Sequence, residues 1–126
     1  MNKITLKKIT PVFTDARGAI FDILNTEVRH VGLITFSKGA VRGNHYHKIG
    51  TQYTYVLKGK VELKVKNLEE ANSVSESIIM VPGDLVEIPP MIAHAYTAIE
   101  ESTIVDLTTT SRADSGYEND TVRTKI

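Results

Sequence analysis

The chain has 126 residues, enough for one domain and short for two, and its 41% hydrophobic content supports a packed core. Fifteen basic residues balance fifteen acidic ones with no long run of one sign, which argues against an electrostatic binder of nucleic acid or membranes. Cysteine is absent, excluding disulfides, thiolate metal sites and a cysteine nucleophile, and no spanning or secretory apolar segment is visible, so a soluble cytoplasmic protein is expected.

The apolar residues alternate with period two rather than with a helical period. In chain order the β-rich runs are ITLKKI, AIFDIL, VGLITF, TQYTYVL, KVELKVK, SIIMV, LVEI, AHAYTAI and STIVDLT. Turn signals separate them: Asp15 to Gly18, Gly39, Gly43, Gly50, Gly59, Pro82-Gly83-Asp84 and Pro89-Pro90. In KVELKVK, Val61, Leu63 and Val65 point one way while Lys60, Glu62, Lys64 and Lys66 point the other. About nine short strands without a long helix predict an all-β sandwich or barrel over residues 1–110. NLEEANSVSES reads as a loop between hairpin strands. Residues 111–126 form a polar C-terminal tail, either loose or wrapped onto a partner subunit.

The stretch from Gly39 to Gly59 carries chemistry. His45 and His47, two apart on a strand, share a face, with Tyr46 opposite. Gln52, five beyond His47, would lie on the wrong face of one continuous strand. A turn is therefore needed, and Gly50 is expected to give the backbone freedom for it. Gln52, Thr54 and Val56 then face inward, while Tyr53, Tyr55 and Leu57 form an outer stripe that calls for a covering helix, loop or second subunit. Taken alone, the two histidines read as interior residues with satisfied hydrogen bonds rather than as ligands. His30 has no motif around it and reads as structural.

The segment resembles the first motif of the cupin superfamily: Gly39, five residues, His45-Tyr46-His47, four residues, Gln52, six residues, Gly59, with Gln in place of the usual Glu. GDLVEIPPMIAHAYTA is similar to the second motif, with Gly83, Pro89 and His94 in register, Met91 in place of a glycine and Ala98 in place of an asparagine. The resemblance implies a small single-domain jelly-roll barrel in which His45, His47, Gln52 and His94 converge on one divalent metal ion. Imidazole suits zinc, iron, nickel or manganese, and copper as well. A neutral amide in place of a carboxylate leaves more of the ion's charge uncompensated, giving a stronger Lewis acid more weakly held. Gln52 also reads as a hydrogen-bonding group behind the ligands.

ITPVFTDARGAIFDILN looks like the Asp-x-Arg-Gly opening of cupins that act on nucleotide sugars. GLITFSKGAVRGNHYHK is similar to segments of dTDP-sugar ketoisomerases and of capsular-polysaccharide sugar epimerases. These resemblances imply a homodimeric isomerase or epimerase acting on a small-molecule carbohydrate by enolisation, with no nucleic-acid or membrane partner. Tyr96 and Asp106 are the inward-facing candidates for the base, and Arg17 and Arg42 for binding a phosphate or carboxylate. Arg17 also reads as a turn partner of Asp15, and Arg42 as solvated. Without a metal, His45 or His47 becomes the natural base. The alternatives are a metal-dependent dioxygenase-type cupin and a module that binds a small ligand without turnover.

Overall fold

A computed structural model describes residues 3–126, and strands dominate it, as the period-two pattern predicts. They are β1 (Thr5–Lys8), β2 (Pro11–Asp15), β3 (Gly18–Phe21), β4 (His30–Phe36), β5 (Val41–His47), β6 (Gln52–Lys58), β7 (Val61–Asn67), β8 (Glu76–Met80), β9 (Asp84–Ile88), β10 (Ile92–Ala98), β11 (Ser102–Thr108) and β12 (Thr121–Arg123). A 3-10 turn (Ala113–Ser115) and one short helix, α1 (Gly116–Asp120), precede β12. One five-stranded sheet has the order β1-β9-β6-β11-β4 and the other β12-β5-β10-β7-β8. Together they make the jelly roll of the cupin type. Among the described residues no helix is long and apolar enough to cross a membrane.

The core lies between the two sheets and is made of their inward alternate residues. Val61, Leu63 and Val65 of β7 are fully buried, while their neighbours on the same strand are only partly covered. Val56, Val86, Ile88, Ile92 and Ile104 face them from other strands. Each such side chain contributes roughly 1.5–3 kcal/mol of burial free energy. Thr54 and Gln52 of β6 point inward beside Val56, as the alternation requires.

The outer stripe of β6 is covered by the chain itself. Tyr53 and Tyr55 pack with Ile23, Leu24 and Val28 from the connection between β3 and β4, whereas Leu57 stays 53% exposed. By contrast, β2 and β3 form a separate two-stranded hairpin whose residues are all exposed.

Two local expectations are modified. Gly50 does not adopt a left-handed backbone; a Cβ there would lie 2.9 Å from both the Asp120 carboxylate and the Thr110 methyl, so the position requires space rather than an unusual φ. The polar segment 111–126 folds back on its own barrel, with β12 pairing antiparallel to β5 through Thr121–His47, Val122–Tyr46 and Arg123–His45.

Candidate functional site

Strands β5 and β10 are neighbours, and their register sets His45 directly opposite His94. A bulge follows His94, where Gly43 approaches so closely that a Cβ would sit 2.8 Å from the His94 carbonyl oxygen. Gly43 has φ +105°, so both its conformation and its room favour glycine. Met91, in the place of the second motif's glycine, also takes a left-handed φ of 67°. The turn survives the substitution by accepting that strain.

The three imidazoles form a triangle with ring centroids 4.7, 5.1 and 5.5 Å apart. One ring nitrogen from each of His45, His47 and His94 lies within 4.8 Å of the others. Ligands about 2.1 Å from a common ion in a tetrahedral site are about 3.4 Å apart, so the rings would draw in by up to about 1.4 Å on sharing one. The donor chemistry of His45 and His94 fits. His94 Nδ1 is 3.0 Å from the Ile92 carbonyl oxygen and donates to it, which leaves Nε2 as a lone pair that is buried without a partner. His45 Nδ1 is likewise buried and unpartnered. Burial, helped by the other imidazoles, lowers the His94 pKa to about 3. Burial, then His47 and Arg123, lowers that of His45 to about 4. Burial also lowers His47, against the opposing effect of Gln52 and Asp120. All three rings are neutral at pH 7, the form a metal needs.

Gln52 stands behind the triangle. Its Oε1 lies 3.0 Å from His47 Nε2, and its Nε2 donates to Asp106 Oδ1 at 2.7 Å. On the other side of the ring, His47 Nδ1 is 3.2 Å from the Thr121 hydroxyl. Asp106 has its pKa pushed up to about 6 by burial, against the Gln52 hydrogen bond and the Arg112 charge. Tyr96 is also buried, donates its hydroxyl proton to Thr54 Oγ1 at 2.6 Å, and is pushed well above the ordinary phenol range by burial. Of the two candidate bases, Asp106 is the one with basicity near neutral pH.

These groups line an inner chamber whose walls include His45, Gln52, His94, Tyr96, Asp106 and Tyr117. It shares Arg42, His45 and Tyr117 with an outer recess of about 650 Å³, where Arg112, Arg123 and Glu118 join the wall. The Arg112 guanidinium stacks on the Tyr117 ring at 3.9 Å, and Arg123 donates to the Gly43 carbonyl oxygen at 3.2 Å. Arg42 is held by the Thr35 carbonyl oxygen at 3.2 and 3.3 Å and lies over Phe36. Arg17 is elsewhere: it pairs with Asp15 at 2.6 Å at the exposed tip of the β2–β3 hairpin. The structure thus brings together His45, His47, Gln52, His94, Tyr96, Asp106 and Arg42, and leaves Arg17 apart.

Tyr117, Thr121, Arg112 and Arg123 escaped the sequence reading. They sit in a polar stretch without periodicity, and only the pairing of β12 with β5 carries them to the site. An aromatic residue inside an otherwise polar tail was the one local sign.

The fold is shared with solved sugar-nucleotide enzymes. The sugar 3,4-ketoisomerase QdtA from Thermoanaerobacterium thermosaccharolyticum, in complex with TDP, superposes with TM-score 0.76 at 22% identity over 95% of this chain and 87% of that one. A 3,4-ketoisomerase from Helicobacter canadensis gives 0.78 at 18% identity over 98% and 92%. The rmlC epimerase of Mycobacterium tuberculosis gives 0.78 at 18% over 95% and 68%. In sequence, germin-like protein subfamily 1 member 4 of Arabidopsis thaliana is 26% identical over 106 residues, 80% of this chain and 48% of that protein, so the chain spans about half that relative's length. A family model, the polysaccharide biosynthesis C-terminal domain, matches residues 13–122, from the exposed hairpin to the strand that closes over His45 and His47. Because the match covers most of the chain, including β5, β10 and the segment folded across them, the chain belongs to the polysaccharide biosynthesis C-terminal domain family.

Proposed function

We propose that the chain is a sugar-nucleotide isomerase or epimerase that moves a proton beside a sugar carbonyl. One divalent ion would be held by His45, His47 and His94, with Gln52 alongside. The observation that carries this reading is the pair of buried, unpartnered nitrogens, His45 Nδ1 and His94 Nε2, in one chamber with a carboxylate whose pKa is about 6. When bound, the ion supplies a Lewis acid that polarises the carbonyl oxygen. In an isomerisation Asp106 would take the proton from the carbon beside the ketone and return it to the former carbonyl carbon, while the hydroxyl proton passes to the former carbonyl oxygen, so no co-reactant is consumed. An epimerisation would need a second acid on the opposite face of the carbon. Gln52 holds that carboxylate through its amide N–H and meets His47 through its oxygen. For either His47 Nε2 or Gln52 Oε1 to ligate, the contact between them must open, because each is now the other's partner.

The wider recess suits the anionic part of such a substrate. Arg42, Arg112 and Arg123 outnumber Glu118 there, and planar guanidinium groups bind phosphate oxygens in pairs. The relatives point the same way: solved neighbours are 3,4-ketoisomerases and epimerases, one of them with bound TDP. The working unit is a homodimer. Val12, Phe13, Ile20 and Phe21 of the hairpin and Val31 and Leu33 of β4 present exposed apolar side chains, and an isolated two-stranded hairpin is marginal in water.

A second, metal-free reading rests on the engagement of Gln52 Oε1 by His47. In it, His45, neutral and with a free Nδ1, is the base. Incubation with TDP-4-keto-6-deoxyglucose in deuterated water tests both. Deuterium entering beside the ketone, and its loss on chelation, supports the metal-assisted reaction. Exchange that survives chelation supports the metal-free one. Saturable binding of nucleotide ketosugars with no exchange sinks both and leaves a binding module.

A further inference from the structure

The chain must reverse between β5 and β6 while keeping His47 and Gln52 within 3.0 Å of each other. Three successive backbone N–H groups in that turn converge on one carboxylate. Lys48 and Ile49 donate to Asp120 Oδ1 at 3.1 and 2.8 Å, and Gly50 donates to Oδ2 at 2.8 Å. The Lys48 N–H also approaches the Asp120 carbonyl oxygen at 3.1 Å. Asp120 is 5% exposed, and among the described residues no lysine or arginine pairs with it. Its carboxylate oxygens accept from three backbone N–H groups, the arrangement of an anion-binding nest.

The same segment grips His47 itself. Thr121, the next residue, meets His47 Nδ1 at 3.2 Å, and the Tyr117 ring lies 5.0 Å from the imidazole. Gly50 fits this arrangement because any side chain there would strike Asp120. One carboxylate therefore ties the ligand-bearing turn to the segment that carries Arg112, Tyr117 and Arg123 into the recess.

We propose that Asp120 is a positioning residue of the site. It fixes the ring of His47 and holds the C-terminal segment in register over the recess, without touching substrate or ion. The role in metal binding rests on the function proposed above; the orientation of His47 does not.

The test uses Asp120→Asn. The amide keeps one acceptor oxygen but turns an NH₂ toward a backbone N–H, so two donors oppose each other and one end of the turn is released. Nitrogen-15 spectra of histidine in the metal-free protein report the ring state of each imidazole, and zinc affinity is read by competition with a chelator. In Asp120→Asn, His47 is expected to pass from one tautomer to a mixture while His94 keeps its signal. Zinc affinity is expected to fall about 10–100-fold, the usual loss for a group behind the ligands. Asp120→Glu, which retains charge and both oxygens, should recover part of the His47 signal. If Asp120→Asn does not fold, Gly50→Ala displaces the carboxylate while leaving it charged, and the same spectra decide.

A variant that melts earlier but keeps the wild-type His47 signal overturns the proposal, because Asp120 is then only a staple of the turn. A wild-type protein that takes up no zinc removes the metal reading instead, and the His47 signal still decides for or against Asp120.

Discussion

His45 and His94 are register partners across β5 and β10, with ring centroids 4.7 Å apart and planes at 86°. Each ring keeps one buried nitrogen that no group of the described residues satisfies. A core built only for stability avoids such atoms, since an unsatisfied buried polar group costs about 1–3 kcal/mol. His94→Leu should therefore abolish stoichiometric metal uptake while changing the stability of the metal-free protein by no more than about 1 kcal/mol, the lost orphan offsetting the lost bond to Ile92. Elemental analysis and denaturant melts check both halves. A large loss of stability would make the ring a structural residue.

Asp106→Asn preserves the shape beside Gln52 but removes the proposed base. Deuterium exchange into a bound ketosugar should fall about 10²–10⁴-fold, with substrate affinity nearly unchanged. Retained exchange would transfer the base role away from Asp106.

Under the proposed function the two tail arginines would act on binding rather than on the proton step. Arg112→Gln with Arg123→Gln should raise KM for a nucleotide sugar at least tenfold at constant kcat and flatten its dependence on salt. An equal fall in kcat would place them at the reacting carbon instead.

The metal-free protein should be sensitive to acid. The pKa values of His45 and His94 are lowered to about 4 and about 3 in the folded state and return to the ordinary 6.5 on unfolding. Between those limits the unfolded chain binds more protons, so their contribution is complete above about pH 6.5 and is lost as pH falls toward 3. Each group adds a slope of about 1.4 kcal/mol per pH unit within its window. Melting curves from pH 7 to pH 4 should show this fall, and His45→Gln should make the slope between pH 6 and pH 4 shallower.

The proposed homodimer would form through the exposed hairpin. Phe13→Ser with Phe21→Ser should convert a dimer to a monomer by native mass spectrometry without melting the barrel, since neither residue belongs to the core cluster. A wild-type monomer would leave the apolar hairpin without its proposed partner.

Much of the site was legible because strand geometry is local. A spacing of two puts His45 and His47 on one face, and the two motifs carried His94 and Gln52 to them. The alternation of β7 was readable for the same reason. What escaped is tertiary. Nothing in the sequence near Tyr53 says that Ile23, Leu24 and Val28 cover it, and nothing near Gly50 says that a carboxylate 70 residues away needs its space. Asp120, Thr121 and Tyr117 lie in a stretch where polarity masks their placement, because each acts through one long-range contact rather than through a repeating pattern.

The closing strand β12 has only three residues, and the main apolar cluster draws nothing from beyond Ile104. One wall of the cavity is thus welded into the barrel, while the opposite wall is an appendage laid on afterwards. Under the proposed function, the positions of that appendage other than Asp120 could be retooled for a different sugar nucleotide with little effect on how the rest folds. Selectivity among relatives should accordingly diverge in the last sixteen positions sooner than reaction chemistry diverges on β5 and β10.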